Sequence, residues 1–157
     1  MFKDPTPKDN YIQNVSGLSP LETALAKAYL QGCVYGWCKN NGTRPFRAQF
    51  FLGGNNYFWQ CTPMFAVYAK RIAFYNGNCD LASEQAGKDA GWLLKDVLKH
   101  DKRSFRTWTG DDGFRWYEWN GVINENSETH PEYSGYINKA KERLEQRINS
   151  FLSENQS

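Results

Sequence analysis

Arginine and aromatic side chains recur together in two stretches of this chain. Arg47, Gln49 and Phe51 alternate along the first, and Arg106 and Trp108 along the second. In extended backbone, residues two apart share a face, so each stretch presents a guanidinium beside flat or polar groups. Two ligand chemistries suit that mixture. Rings stack on unpaired bases at about 1–3 kcal/mol per base, with a basic groove following the backbone. Trp, Tyr and Arg also dominate the energetics of protein interfaces. The segment Phe114-Arg115-Trp116-Tyr117-Glu118-Trp119 is aromatic on both faces. The shared face therefore gains either Arg115, Tyr117 and Trp119, or Phe114 and Trp116. The first choice gives the candidate binding set Arg47, Gln49, Phe51, Arg106, Trp108, Arg115, Tyr117 and Trp119.

Arg44, Arg47, Arg103 and Arg106 have a second use as a symmetric pair of anion clamps, since guanidinium meets phosphate or carboxylate bidentately. Structural pairing with acids such as Glu84 or Asp101 competes with that use and is the commoner fate of arginine. Asp111 and Asp112, with Glu118 in the following strand, are the acids a hydrolytic metal would want. The sequence Gly110-Asp111-Asp112-Gly113 is nevertheless a favoured turn in its own right, and no lysine follows Glu118 at a nuclease-like spacing. His100 sits where a helix would end and compensates the helix dipole there; His130 precedes Pro131. Cys33 and Cys38 lie about 140° apart around one helix, a poor zinc pair. No cofactor or metal site is expected. A small hydrolase using Asp111, Asp112, Glu118 and His100 is the weakest of the functional alternatives.

Start and stop signals place the elements that hold these residues. Ser19-Pro20-Leu21-Glu22 is a capping box with proline at the first helical position, and it opens a helix to about Lys39, before Asn40-Asn41-Gly42. Ala24, Ala28, Gly32 and Gly36 recur every four residues along it, a ridge of small side chains that invites close packing. Phe46–Leu52 and Tyr57–Cys61 flank Gly53-Gly54-Asn55-Asn56 and read as a β-hairpin. Thr62-Pro63 opens a second helix to about Tyr75. A third runs from about Leu81 to Lys99, with Ala82, Ala86 and Ala90 four apart. Ser104–Thr109 and Phe114–Trp119 form a second hairpin around Gly110-Asp111-Asp112-Gly113, ended by Asn120-Gly121. From Pro131 onward, Tyr133, Ile137, Ala140, Leu144, Ile148 and Phe151 mark an apolar stripe at helical period, so the last helix is amphipathic and expected to dock.

The resulting order, α-ββ-α repeated twice, carries an internal echo. A shift of 59 positions superposes Gly32 on Gly91, Arg44 on Arg103, Phe46 on Phe105, Arg47 on Arg106 and Gly54 on Gly113. The fold class expected is α+β in two layers, a four-stranded antiparallel sheet from two hairpins packed on helices. Residues 1–16 are expected to be a flexible N-terminal arm. Residues 17–157 are expected to form one domain with pseudo-repeat halves at about 19–78 and 79–154.

Bulk properties narrow the setting. A length of 157 residues suits one domain. Aromatic residues make up 16% of the chain, so much of the core is expected to be rings on hairpins. Mean hydropathy is −0.74 and there is no apolar run of about 20 residues, the length a membrane span needs. The first residues lack the apolar core of an export signal. Together with four cysteines expected as free thiols, this favours a cytoplasmic protein without a membrane partner. Net charge is +2, so no global field attracts polyanions, although residues 1–78 hold eight Lys/Arg against three Asp/Glu. The composite expectation is a non-catalytic binding module with an Arg/aromatic sheet face. Its favoured ligand is a single-stranded or deformed nucleic acid. The alternative is a protein-binding adaptor or inhibitor, with a homodimer as one form.

Overall fold

The computed structural model describes residues 1–52, 59–124 and 131–154. Residues 1–127 form one compact unit and 128–157 a second. Among the described residues there are five α-helices and one two-stranded antiparallel sheet: α1 (Pro7–Asn10), α2 (Pro20–Asn41), α3 (Phe65–Phe74), α4 (Cys79–His100), β1 (Arg103–Thr109), β2 (Arg115–Ile123) and α5 (Pro131–Glu154), with a 3-10 turn at Ala48–Phe51 between α2 and α3.

The local signals account for the helix ends. Ser19 Oγ accepts from the Glu22 N–H, and the Glu22 carboxylate accepts from the Ser19 N–H, which closes the capping box of α2. Gly42, at φ 58°, turns the chain out of it and donates to the Cys38 carbonyl. Asn78 caps α4 through the Leu81 N–H. Thr62 does not cap α3. Its hydroxyl accepts from the Met64 N–H, and helical backbone begins only at Phe65.

Among the described residues the four-stranded sheet of the repeated α-ββ-α arrangement is not formed; the sheet is the two-stranded β1–β2 hairpin. The expected first strand, Phe46–Leu52, is extended at Phe46 and Arg47 and then winds into the 3-10 turn. Three features of the sequence explain this. Pro45 cannot donate to a ladder, Ala48 and Gln49 have little strand preference, and Phe50-Phe51 places two rings side by side where alternation would force one into solvent. The turn resolves that conflict. Phe51 packs on Phe46 at 5.4 Å, and Phe50 is thrown outward. The Gly53–Asn56 turn and the start of the expected second strand, through Phe58, lie outside the described residues; Trp59–Cys61 is in turn conformation.

What remains of the wider sheet is one bridge on each side of the hairpin. Phe46 and Tyr117 exchange N–H···O bonds of 2.8 and 2.9 Å. On the opposite edge Phe105 donates to the Met1 carbonyl and accepts from the Lys3 N–H, both at 2.8 Å. Phe2 is buried and stacks on Tyr117 with ring centres 6.1 Å apart. The arm continues through α1, whose Thr6 cap accepts from the Asp9 N–H. Lys95 Nζ then donates to the Lys8 and Tyr11 carbonyls.

The core lies between the inner hairpin face and the helices. Ala26, Leu30, Val34 and Cys38 of α2 are buried at intervals of four, with Leu94, Val97 and Leu98 of α4, Met64 and Val67. The expected small-residue ridge of α2 therefore faces away. Ala28 and Gly32 are exposed, and added Cβ atoms at Gly32 and Gly36 would meet nothing within 4 Å. On α4, by contrast, Ala82, Ala86 and Ala90 are fully buried. Asp89 ties α4 to α3, receiving Arg71 Nε and Nη2 at 2.7 and 2.8 Å and Lys70 at 2.9 Å. Burial acts to raise its pKa, and the bonds from Arg71 and Lys70 outweigh it and hold it below the usual carboxylate range. In the second unit, Leu144, Ile148 and Leu152 of α5 have exposed side chains. No helix among the described residues is long and apolar enough to cross a membrane.

Candidate binding surface

The register of the hairpin sorts the aromatic residues. Phe105 pairs with Trp119, Arg106 with Glu118, Thr107 with Tyr117, Trp108 with Trp116 and Thr109 with Arg115. Cross-strand partners share a face. Phe105, Tyr117, Trp119 and Arg115 therefore point one way, and Arg106, Trp108, Trp116 and Glu118 the other.

The inner set belongs to the core. Phe105 and Tyr117 are buried, and desolvation pushes the Tyr117 phenol well above its ordinary range. Trp119 donates Nε1 to the Val122 carbonyl at 3.0 Å, with the Arg103 guanidinium 5.7 Å from its ring. Arg115 is ion-paired with Asp9 of α1. Phe51 also turns inward, against Trp37 and Phe46. Gln49 is half-buried within the 3-10 turn.

The outer set is different. Trp108 and Trp116 stack with planes 9° apart and centres 6.5 Å apart. Phe114 and Phe50 are each 45% exposed and Trp108 is 38% exposed. Phe50 meets Trp116 edge-on at 5.6 Å. Arg47 lies among these rings, its guanidinium carbon 4.9 Å from Phe114, 4.9 Å from Trp116 and 5.8 Å from Phe50. Its Nη1 donates to Asp112 Oδ2 at 2.5 Å. Arg106 reaches both carboxylate oxygens of Glu118 through Nη2, at 2.7 and 2.8 Å. Of the eight candidate residues, Arg47, Arg106 and Trp108 thus meet on one surface, while Arg115, Tyr117 and Trp119 face the core. Phe50, Phe114 and Trp116 complete the outer surface. Phe114 and Trp116 were the other solution of the same alternation, but nothing local points to Phe50, because its exposure depends on the 3-10 turn.

The turn at the hairpin tip holds Asp112 for this purpose. Gly110 donates to the Phe114 carbonyl, Gly113 donates to the Gly110 carbonyl, and Asp112 Oδ1 accepts from the Phe114 N–H at 3.1 Å. The Phe114 N–H, followed by Arg47, holds the Asp112 carboxyl below its ordinary range despite the opposing effect of desolvation. A side chain at position 110 would lie 2.8 Å from Trp116 Nε1 and 2.9 Å from Asp112 Oδ1, so glycine lets the indole close over the turn.

Two of the acids considered for metal or acid–base work are engaged in ion pairs. Asp112 pairs with Arg47 and Glu118 with Arg106. His100 Nδ1 lies 3.2 Å from Asp96 of its own helix. Arg103 pairs with the buried Asp101 and lies over Tyr35 at 4.6 Å, so it takes the structural role rather than that of an anion clamp. The four cysteines are free thiols, with Cys38 buried and Cys61 and Cys79 exposed. No protein-family model, curated protein or solved structure matches the chain.

Proposed function

We propose that this protein is a non-catalytic binding module whose ligand is a polypeptide held on the outer hairpin face. The observation that carries this is the shelf of exposed Trp108, Phe114 and Phe50 around half-buried Trp116, rings whose neighbouring arginines are already paired with acids. Rigid rings supply large contact area at low entropic cost and anchor protein interfaces. Charge decides between ligand classes. Two guanidinium groups, Arg47 and Arg106, share the face with the two carboxylates that pair with them, Asp112 and Glu118. Nucleic-acid affinity rests on unpaired basic groups releasing counterions from phosphates, and that balance works against it here.

The test is selection of peptides from a random library on the folded protein, repeated on Trp108→Ala and Phe114→Ala. Enriched peptides should lose roughly tenfold or more in affinity on either variant, the effect of an interface hot spot. Peptides that bind both variants as well as the parent would place the binding surface elsewhere. In parallel, labelled single-stranded and duplex DNA and RNA are titrated across salt concentrations. Binding that weakens steeply with salt and is lost in Arg106→Ala would replace the polypeptide by a nucleic acid. Light scattering on the same sample identifies a second copy of the chain as the ligand if the protein is dimeric and Trp108→Ala is monomeric.

A further inference from the structure

Phe50, Phe114, Trp116 and Asp112 enclose the Arg47 guanidinium from several sides. Two rings lie at 4.9 Å and one at 5.8 Å, and the carboxylate closes the end at 2.5 Å. The enclosure is built from separate segments, the 3-10 turn and the hairpin tip, and three of its four parts have contacts of their own apart from the arginine. Asp112 is held by the Phe114 N–H, Trp116 by its closure over Gly110 and its stack on Trp108, and Phe50 by Trp37 at 5.4 Å. A carboxylate at the end of an aromatic box is the chemistry that recognises a planar cation. Guanidinium suits it better than ammonium, because it stacks on ring faces and is more weakly hydrated. Arg47 fits the box imperfectly. Its Nε is buried and finds no hydrogen-bond partner among the described residues.

We infer that this box is an arginine-recognition site occupied in cis by Arg47, and that an arginine side chain of the polypeptide partner takes its place. The inference rests on the outer face being the polypeptide-binding surface and names what the partner must carry there. A ligand arginine entering along a different path need not bury its own Nε as Arg47 does, while Asp112 favours a basic segment. Arg47 then acts as an internal competitor. Apparent affinity for an external guanidinium is lowered by the fraction of molecules whose box is closed.

The probe is N-acetyl-arginine amide, with N-acetyl-lysine amide as its control, followed by tryptophan fluorescence and by nitrogen–proton NMR of the Trp116 indole. Arg47→Ala should bind the arginine amide roughly tenfold or more tightly than the parent protein, because the competitor is gone. The lysine amide should bind more weakly than the arginine amide, and Arg47→Ala/Asp112→Asn should lose the response. Equal responses to both amides, or a response unaffected by Asp112→Asn, overturn the site. Where Arg47→Ala does not fold, the parent protein decides. Its Arg47 Nε–H resonance should move from a ring-shifted position toward that of free arginine as the amide is added, and a stationary resonance overturns the inference. Failure of the wider functional reading looks different. Selected peptides that lack arginine yet depend on Trp108 would keep the surface and remove the box. An amide that binds the box of a protein selecting no peptides would do the reverse.

Discussion

Residues 44–47 and 103–106 carry the same Arg-x-Phe-Arg order and begin different structures, yet each sends its phenylalanine to the same place. Phe46 and Phe105 are both fully buried, and their rings meet edge-on at 6.1 Å. Each also has its backbone N–H and C=O paired with another segment, Phe46 with Tyr117, and Phe105 with Met1 and Lys3. The arginines diverge. Arg103 is tied to the buried Asp101, whereas Arg44 is exposed and contributes its carbonyl to the Trp37 indole at 2.8 Å. Arg47 is enclosed by rings with its side chain 23% exposed, whereas Arg106, 59% exposed, lies along the hairpin rim. A large apolar side chain flanked by polar ones is driven inward by desolvation in either context. An arginine takes whatever acids and rings its element brings near.

Removing the shared feature should have the largest effect. Phe46→Ala and Phe105→Ala should each cost about 3–5 kcal/mol, the range for emptying an aromatic core position. The double variant should deviate from additivity by about 0.5–3 kcal/mol, because the rings touch. Denaturant unfolding measures both, and additive losses would mean that the two segments are energetically independent.

Next in size is the pair of arginines that begin the two segments, Arg44 and Arg103. Arg103→Ala withdraws one charged hydrogen bond from Asp101, which keeps Gln31 and the backbone N–H of position 103 as donors. The expected loss is about 1.5–3 kcal/mol. Arg44→Ala, by contrast, should stay within about 0.5 kcal/mol of the parent. Equal losses would dissolve the distinction between the two segments.

The arginines that end the two segments, Arg47 and Arg106, are expected to differ less. Arg47→Ala gives up stacking against rings in a partly desolvated site, worth about 1–2 kcal/mol. Arg106→Ala breaks an exposed pair and should cost less than about 1 kcal/mol. The order of the two losses in denaturant unfolding is the test, and a reversed order would break this part of the comparison.

The smallest effect is on titration. Asp112 is held below the ordinary aspartate range by the Phe114 N–H and then by Arg47. A carboxyl depressed on folding contributes stability above its unfolded pKa and loses it as pH falls through the folded value. The link between the tip and Arg47 should thus be intact at neutral pH and released only in acid. In Arg47→Ala the Asp112 carboxyl carbon, followed by NMR, should titrate at higher pH than in the parent but still below the ordinary range, since the Phe114 N–H remains. An unchanged titration would show that Arg47 does not act on it.

The surface was partly legible because its residues obey alternation. Arg106 and Trp108 are two apart on one strand, and a strand of any register keeps them together. Trp116 and Tyr117 were ambiguous, because both faces of β2 are aromatic and period 2 alone does not say which is inward. The core chose, burying Tyr117 against Phe2 and Phe46 and leaving Trp116 to the outside. A strand over 46–52 puts Phe50 on the same face as Phe46, so alternation gives no sign of its exposure. The expected ridge of Ala24, Ala28, Gly32 and Gly36 misled for a related reason. Small size makes close packing feasible without requiring it, and Leu30 and Val34 on the other side gained more by burial.

By itself the sequence determined the helix boundaries at Ser19 and Gly42, the hairpin turn at Gly110–Gly113 and the pairing of arginine with aromatic residues on β1. Each rests on interactions within a few residues, where caps, turns and alternation operate. Tertiary structure decided how much sheet there is, which face of β2 is buried and which arginine is caged. A strand needs an edge to pair with and a face to bury, and both are supplied by residues distant in the chain. Pro45 and the adjacent Phe50 and Phe51 left the first segment with one bridge to Tyr117, and the 3-10 turn carried Arg47 into the rings of the hairpin.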